Sequence, residues 1–302
     1  MKKWLPLLLC LCLLLGGCGA AEQYDIVATT APVQQFAEAV CAGTGLTVGL
    51  VVSGSVSCLH DYTLTVRQMT MLERAKVVAC SGAGLEAFLT DAIPADAVTV
   101  DCAADLTLLP TGDHDAEHEH DHDAHDAHDA HDGHDHGDWD PHVWLDPDNA
   151  AAMVRRLAAD LALRWPEHAA RFSANAEAWC TRLADLKAEC TAELSDLSCR
   201  ELITFHDGFA YFARAFDLTI LAAMEEESGS EASAKELKAL TELIRSHGLP
   251  AVFVEENGSK SAAEILRRET GCAVGTLDMG MSGGDYFAVI RSNVRAVKEA
   301  LA

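Results

Sequence analysis

The segment between residues 167 and 197 contains neither glycine nor proline and is rich in residues that favour helices. A continuous helix of about 30 residues would be about 45 Å long, which is more than one domain needs. Apolar stretches of strand type alternate with helical patterns on both sides of this segment. Such alternation predicts parallel sheets flanked by helices. We therefore predict an α/β chain in which one long rigid helix joins two similar lobes.

The two halves of the chain carry the same kind of pattern. In the first half, strands are predicted at residues 24–28, 46–52, 76–80 and 98–100, and helices at 32–41, 65–75, 84–90 and 149–164. In the second half, strands are predicted at 202–205, 218–222, 251–255 and 273–277, and helices up to Phe216 and at 233–247, 262–270 and 286–301.

The first residues of the chain are typical of an exported protein. A positively charged start is followed by an apolar stretch that is too short to cross a membrane as a stable helix, which predicts a signal peptide over residues 1–17. The small residues before Cys18 resemble a bacterial lipobox, which implies a lipid anchor on Cys18 and a place on the outer face of the cell membrane. An ordinary secretory signal with an incidental cysteine is the alternative.

These patterns divide the rest of the chain into three parts. We predict a first lobe over residues 18–166, the linking helix over 167–197 and a second lobe over 198–302. The chain beyond the leader is long enough for two domains with their own cores.

The chain is strongly acidic, with a formal net charge of −25. This balance argues against a nucleic-acid partner, because phosphate binding needs basic patches, and it attracts cations. Eight of the eleven cysteines lie beyond Cys18, and none forms a Cys-x-x-Cys pair. Exported cysteines often form disulfides, but the sequence is equally compatible with buried thiols and does not define any pairing.

Residues 113–137 consist almost entirely of histidine and acidic residues. The run has ten carboxylates, no lysine or arginine, and no apolar residue larger than alanine, so it predicts a solvated loop rather than a core segment. Imidazole and carboxylate groups suit zinc and similar divalent ions, although a polar linker is the alternative. The predicted metal-capturing histidines are His114, His118, His120, His122, His125, His128, His131, His134 and His136.

The five histidines outside the run fall into two groups. His168 and His247 fall at predicted helix ends, where surface positions are expected. His60, His142 and His206 each lie in a loop near a predicted strand, beside an acidic or aromatic residue. Binding sites of open α/β sheets form at the carboxyl ends of strands, so these three imidazoles predict a metal site.

Asp278 directly follows the predicted strand at residues 273–277. Its carboxylate would complete a tetrahedral zinc shell of three imidazoles and one oxygen.

Two segments resemble signature sequences of the metal-binding lipoproteins of ABC importers, which form the zinc/manganese cluster of solute-binding proteins. These segments are residues 140–147 (DPHVWLDP) and 204–212 (TFHDGFAYF). Shorter matches follow in the same order along nearly the whole chain, at residues 60–62 (HDY), 81–86 (SGAGLE), 231–237 (EASAKEL) and 275–278 (GTLD).

The resemblance implies that His60, His142, His206 and Asp278 bind a metal ion in the cleft between the lobes of a monomer. It also implies an ABC permease as the partner. Manganese members of the family carry glutamate at the third position, where this chain has His206, and zinc members typically carry an acidic histidine-rich loop. Imidazole also suits zinc better than it suits manganese, so Zn²⁺ is the predicted ligand and Mn²⁺ the alternative.

The chain departs from the family pattern at two places. Cys58 and Leu59 precede His60 where proline is common, so Cys58 is a conceivable further ligand, although a buried thiol or half of a disulfide is also expected there. Met279 follows Asp278 where the family has proline. A water molecule or an acid from the histidine-rich loop could therefore replace Asp278 as the fourth ligand.

Two enzyme classes compete with a carrier function. Residues 82–87 (GAGLEA) fit the G-x-G-x-x-A fingerprint of dinucleotide-binding enzymes, and Asp101 follows a strand about twenty residues further on. A tight glycine turn explains the same residues. A zinc hydrolase would need an open metal position and a nearby base. The His-Glu-x-x-His match at residues 118–122 lies in the histidine-rich run rather than in a predicted helix, and the G-x-S-x-G match at residues 280–284 lies in a long loop rather than in a tight strand-to-helix turn.

We therefore predict a carrier rather than an enzyme. The histidine-rich loop would raise the local zinc concentration, the cleft would hold one ion tightly, and the protein would deliver it to the permease. Binding should weaken as the pH falls through the histidine range near about 6.5, since protons compete for the same nitrogens.

Overall fold

The computed structural model describes residues 23–53, 62–89, 91–112, 138–224 and 232–302. Within these ranges every predicted strand is present, and all but one of the predicted helices lie where the sequence patterns place them. The two-lobed α/β architecture is therefore confirmed.

Several predicted features lie outside the described residues. They are the leader at residues 1–17, the lipidation site Cys18, the possible ligand Cys58, the predicted ligand His60 and the histidine-rich run at residues 113–137.

The first lobe is built on a four-stranded parallel sheet with the strand order β2-β1-β3-β4. The central strand β1 is fully buried because the sheet is covered on both faces, which is why its sequence is apolar throughout. The elements of this lobe are β1 (Ile26–Ala28), α1 (Ala31–Cys41), β2 (Val48–Leu50), α2 (Val66–Arg74), β3 (Val77–Cys80), β4 (Thr99–Asp101) and α3 (Pro147–Arg164).

The second lobe repeats this topology, with a parallel sheet in the order β6-β5-β7-β8. In both sheets the first strand of the lobe lies between the second and the third. The elements are β5 (Glu201–Phe205), α5 (Ala210–Ala215), β6 (Thr219–Ala223), α6 (Ala234–His247), β7 (Ala251–Glu255), α7 (Ser261–Thr270), β8 (Ala273–Leu277) and α8 (Tyr286–Leu301).

Local signals define several helix ends. The side chain of Ser233 accepts from the backbone N–H of Glu236 at the start of α6, and the Glu236 carboxylate accepts from the N–H of Ser233. Helices α6 and α7 end at Gly248 and Gly271, which both adopt the left-handed conformation.

The linking helix α4 runs from Ala169 to Glu193 and is about 37 Å long at 1.5 Å per residue. It is shorter than the predicted segment because a 3₁₀ turn at Pro166–His168 precedes it and the last residues after Glu193 leave the helix. Its buried stripe repeats every three or four residues, as expected for a helix packed along one side. The stripe consists of Phe172, Ala176, Cys180, Leu183, Leu186 and Cys190.

Helix α4 is attached to elements from both halves of the chain. The side-chain amide of Asn175 donates to the carbonyl oxygens of Val40 and Ala42, each at 2.9 Å, at the end of α1. Near the other end, the guanidinium of Arg291 in α8 donates to both carboxylate oxygens of Glu189. The linking helix is therefore a packed support rather than an exposed rod.

The lobes meet along a seam, which we define as Trp144, Met279 and Tyr286. The indole Nε1 of Trp144 donates to the carbonyl oxygen of Met279 at 2.8 Å, and the hydroxyl of Tyr286 donates to the carbonyl oxygen of Trp144 at 2.7 Å. Tyr286 opens α8, and its N–H donates to Oε1 of Gln35 in α1. The last helix of the chain thus packs back against the first lobe.

The cysteines of the described ranges are all free thiols, and six of these seven are buried. Burial raises the pKa of the Cys41 thiol to about 12 and that of Cys190 to about 11.

Among the helices of the described ranges, none combines the length and the apolar character that a membrane span requires.

The seam predicts a measurable loss of stability for Tyr286→Phe. The substitution removes the hydroxyl and leaves the buried carbonyl of Trp144 without this donor, so the free energy of unfolding should fall by about 1–3 kcal/mol. Urea unfolding monitored by fluorescence would measure it. Leu163→Ala, at a side chain that is 83% exposed, serves as the control and should change little. Equal stability of the two variants would contradict a structural role for the seam.

Candidate metal site

His142 lies in the loop that leads into helix α3. It precedes a single 3₁₀ turn at Val143–Leu145, and Asp146 then caps helix α3 by accepting from the N–H of Asp148. The side chain of His142 is 13% exposed. Its Nδ1 lies 2.8 Å from Oδ1 of Asp140, and its ring contacts the Trp144 ring edge-on.

His206 directly follows strand β5, at the carboxyl end of the second sheet. Its ring centroid lies 5.3 Å from that of His142, with the two planes at 82°. The Nε2 atom of His206 is buried. The structure therefore brings two of the predicted ligands together across the lobes, at the strand edge where binding sites of parallel sheets form.

Gly208 makes this close approach of the two rings possible. A Cβ atom at this position would lie 2.3 Å from Cε of Met279, 2.8 Å from Nδ1 of His142 and 2.8 Å from Cδ2 of His206. These separations are far below van der Waals contact, so only glycine fits without displacing both imidazoles. No local sequence pattern marks Gly208 as a site residue, because the requirement for glycine comes from a contact between lobes.

Asp278 lies at the carboxyl end of β8, as predicted, but its hydrogen bonds are to its own lobe. Its Oδ1 accepts from the N–H of Gly280 at 2.7 Å, and its backbone exchanges two hydrogen bonds with the side chain of Asn293. The nearby Asp278 carboxylate raises the pKa of Glu256. The Cε atom of its neighbour Met279 lies close to Gly208, beside the histidine pair.

Within the described ranges, no three His, Cys, Asp or Glu side chains are grouped closely enough to hold a metal ion. His60 lies outside these ranges, and Asp278 is not grouped with His142 and His206. The four-ligand shell therefore stays a prediction, of which the structure places two members side by side.

The remaining histidines of the described ranges lie away from this pair. His247 is exposed at the end of α6, with Nδ1 3.0 Å from the Glu201 carboxylate, and His168 packs edge-on against Phe172 at the start of α4.

The glycine-rich segment at residues 82–87 is occupied by a side chain of the protein itself. The Glu86 carboxylate accepts from the N–H groups of Ser81 at 2.6 Å and Gly82 at 3.0 Å, and from the hydroxyl of Thr29 at 2.7 Å. Burial raises the pKa of Glu86, and these donors oppose the shift. Two amides at the start of the glycine-rich segment are thus taken by an acidic side chain of the protein, which argues against the dinucleotide-binding alternative.

The predicted helix at residues 84–90 is wrong in type. The structure has a 3₁₀ turn at Leu85–Leu89, with Glu86 in a non-helical conformation. The bonds from Glu86 to the preceding backbone explain the tight turn, because they hold its side chain over the strand end.

The fold is that of a two-lobed α/β binding protein, with the imidazoles of His142 and His206 paired between its lobes. A family profile described as "ZnuA: Zinc-uptake complex component A periplasmic" matches residues 26–300. The chain therefore belongs to this family, as its signature segments predict.

Individual relatives agree with this assignment. The zinc-binding lipoprotein AdcA of Streptococcus pneumoniae (strain ATCC BAA-255 / R6) is 29% identical over 316 residues, which cover 99% of this chain and 61% of that protein. The chain thus spans about three fifths of the length of this relative. The crystal structure of ZnuA is 26% identical, with a TM-score of 0.78, and the match covers 93% of this chain and 100% of that one. A ZnuA deletion mutant with zinc bound has a TM-score of 0.76 at 26% identity, with coverages of 93% and 99%.

The buried carboxylate predicts a stability loss for Glu86→Gln. The amide NH₂ would face N–H and O–H donors, so the free energy of unfolding should fall by about 1–3 kcal/mol. Chemical denaturation would measure this loss. Glu73→Gln, at an exposed position in α2, is the matched control and should stay within about 0.5 kcal/mol of the parent. Indistinguishable curves for the two variants would refute the role assigned to Glu86.

The space at Gly208 predicts a specific defect for Gly208→Ala. The added methyl group should displace the two imidazoles and weaken zinc binding at least about tenfold in a calorimetric titration. Gly258→Ala is the control, because its Cβ would meet no atom closer than 3.4 Å. Unchanged zinc affinity in Gly208→Ala would show that the rings need not approach this closely.

Proposed function

We propose that this protein captures Zn²⁺ outside the cytoplasmic membrane and delivers it to an ABC permease. The observation that carries the proposal is the pair of imidazoles of His142 and His206, with ring centroids 5.3 Å apart at the carboxyl end of the second sheet. Membership of the zinc-uptake family supports it. The role is binding and delivery, and it includes no catalytic step.

The proposed site comprises His60, His142, His206 and Asp278. Neutral imidazoles are borderline ligands that suit zinc, whereas manganese prefers carboxylates and water. His206 therefore favours zinc over manganese. The rings of His142 and His206 are partly buried, which limits the access of water. The lower local dielectric would strengthen the attraction between a bound cation and the Asp278 carboxylate.

The flanking segments have proposed supporting roles. The histidine-rich run at residues 113–137 would hold zinc weakly through exchangeable contacts and pass it to the cleft. A lipid on Cys18 would keep the protein at the outer face of the cytoplasmic membrane, beside the permease. The formal net charge of −25 favours the approach of cations over anions.

Zinc titration of the metal-free protein tests the assignment. His142→Ala and His206→Ala should each lower the affinity by about two orders of magnitude. If a zinc-binding free energy of about 10–16 kcal/mol is divided equally among four ligands, the loss of one ligand weakens binding by about 3 kcal/mol. His168→Ala and His247→Ala are matched controls, because these side chains lie at helix ends away from the pair. If both site variants kept tight binding, the site would be elsewhere.

Deletion of residues 113–137 separates the cleft from the histidine-rich run. One tight zinc ion per chain should survive the deletion, together with much weaker manganese binding. Loss of tight zinc binding with the deletion would identify the protein as a zinc sponge whose lobes serve another purpose.

A further inference from the structure

Asp140 lies directly behind the ring of His142. Its Oδ1 is 2.8 Å from Nδ1 of His142 and also accepts from the backbone N–H of His142 at 2.8 Å. A carboxylate oxygen only accepts hydrogen bonds, so Nδ1 must carry the proton. The remaining lone pair of the neutral ring is then on Nε2.

Asp140 is itself held in place by burial and by its backbone. Its side chain is only 3% exposed, and Pro141 restricts its backbone to extended conformations. Its N–H donates to the carbonyl oxygen of Leu109 at 2.9 Å. The N–H of Leu109 in turn donates to the hydroxyl of Tyr211 in the second lobe, also at 2.9 Å. The carboxylate is therefore fixed relative to both lobes.

The hydrogen bonds between Asp140 and His142 do not by themselves require a charged group at residue 140. Both donors, the backbone N–H and the ring Nδ1, contact the same oxygen Oδ1, so an asparagine carbonyl could accept them equally well. The second oxygen, Oδ2, is buried and makes no hydrogen bond to any described residue. Burying a carboxylate with one oxygen unpaired is unfavourable unless a nearby cation compensates its charge. A cation bound to Nε2 of His142, on the side of the ring away from Asp140, would compensate this charge.

We propose that Asp140 is a positioning residue for metal binding. It holds His142 in the Nδ1-protonated tautomer with Nε2 free to bind the ion, and its negative charge strengthens the imidazole as a ligand. This inference rests on the proposed zinc site, and it adds a residue that does not itself touch the metal.

Nitrogen NMR of the metal-free protein tests the tautomer without any zinc. His142 should show a protonated Nδ1 and a bare Nε2, with its signals assigned by their absence in His142→Ala. Asp140→Ala should shift the ring toward the Nε2-protonated form, whereas Asp140→Asn, whose carbonyl oxygen still accepts from Nδ1, should keep the Nδ1-protonated form. A His142 tautomer that is unchanged in Asp140→Ala would overturn the proposal.

Zinc titration supplies the second measurement. Asp140→Asn keeps an oxygen acceptor for the turn, so it should fold, and its zinc affinity should fall by about 10–100-fold. Asp105→Asn, at a surface carboxylate that pairs with Arg156, is the control and should bind zinc as the parent does.

The outcomes separate the two proposals. If the Asp140 variants lower the melting temperature, but the tautomer is unchanged in Asp140→Ala and the zinc affinity is unchanged in Asp140→Asn, Asp140 is only structural and the inference fails. If His142→Ala leaves zinc binding intact, the proposed site itself fails, whatever the Asp140 variants do.

Discussion

The hydrogen bond from the Trp144 indole to the carbonyl of Met279 joins the two lobes at the point where the histidines meet. Trp144 is two residues from His142, and Met279 packs against the space at Gly208. Tyr286 closes the arrangement by donating to the carbonyl of Trp144. The relative position of His142 and His206 is therefore set by buried bonds between lobes, because the loop that carries His142 has little freedom of its own. The ring separation of 5.3 Å follows from this attachment.

Much of the fold could be predicted from the sequence because its signals are local. Strands such as Ala251–Glu255 are continuous apolar runs, and the structure places this strand at the residues predicted. The long segment without glycine or proline forms the linking helix, although a 3₁₀ turn at Pro166–His168 shortens it. The nearness of His142 and His206 was predictable for a different reason, since each lies in a loop of its own lobe beside an acidic or aromatic residue, a setting typical of binding sites in α/β folds.

Other features depend on contacts between distant parts of the chain and could not be predicted in this way. The segment at residues 82–87 fits a phosphate-binding fingerprint in sequence, and only the structure shows that the Glu86 carboxylate accepts from the amides of Ser81 and Gly82 at its start. The requirement for glycine at position 208 becomes apparent only when the two histidine rings are placed beside it. Asp278 follows its strand as predicted, yet its carboxylate bonds to Gly280, and the sequence has no signal for that local capping bond.

The free thiols have a consequence for the proposed zinc site. Thiolates are soft, strong ligands and could compete with imidazoles for the same ion. Burial raises the pKa of the Cys41 thiol to about 12 and that of Cys190 to about 11, and it raises that of Cys102 as well. These groups therefore stay protonated and enclosed in the core. The sulfur atoms of these buried cysteines are thus not available as metal ligands, so they would not compete with the imidazoles of the proposed site.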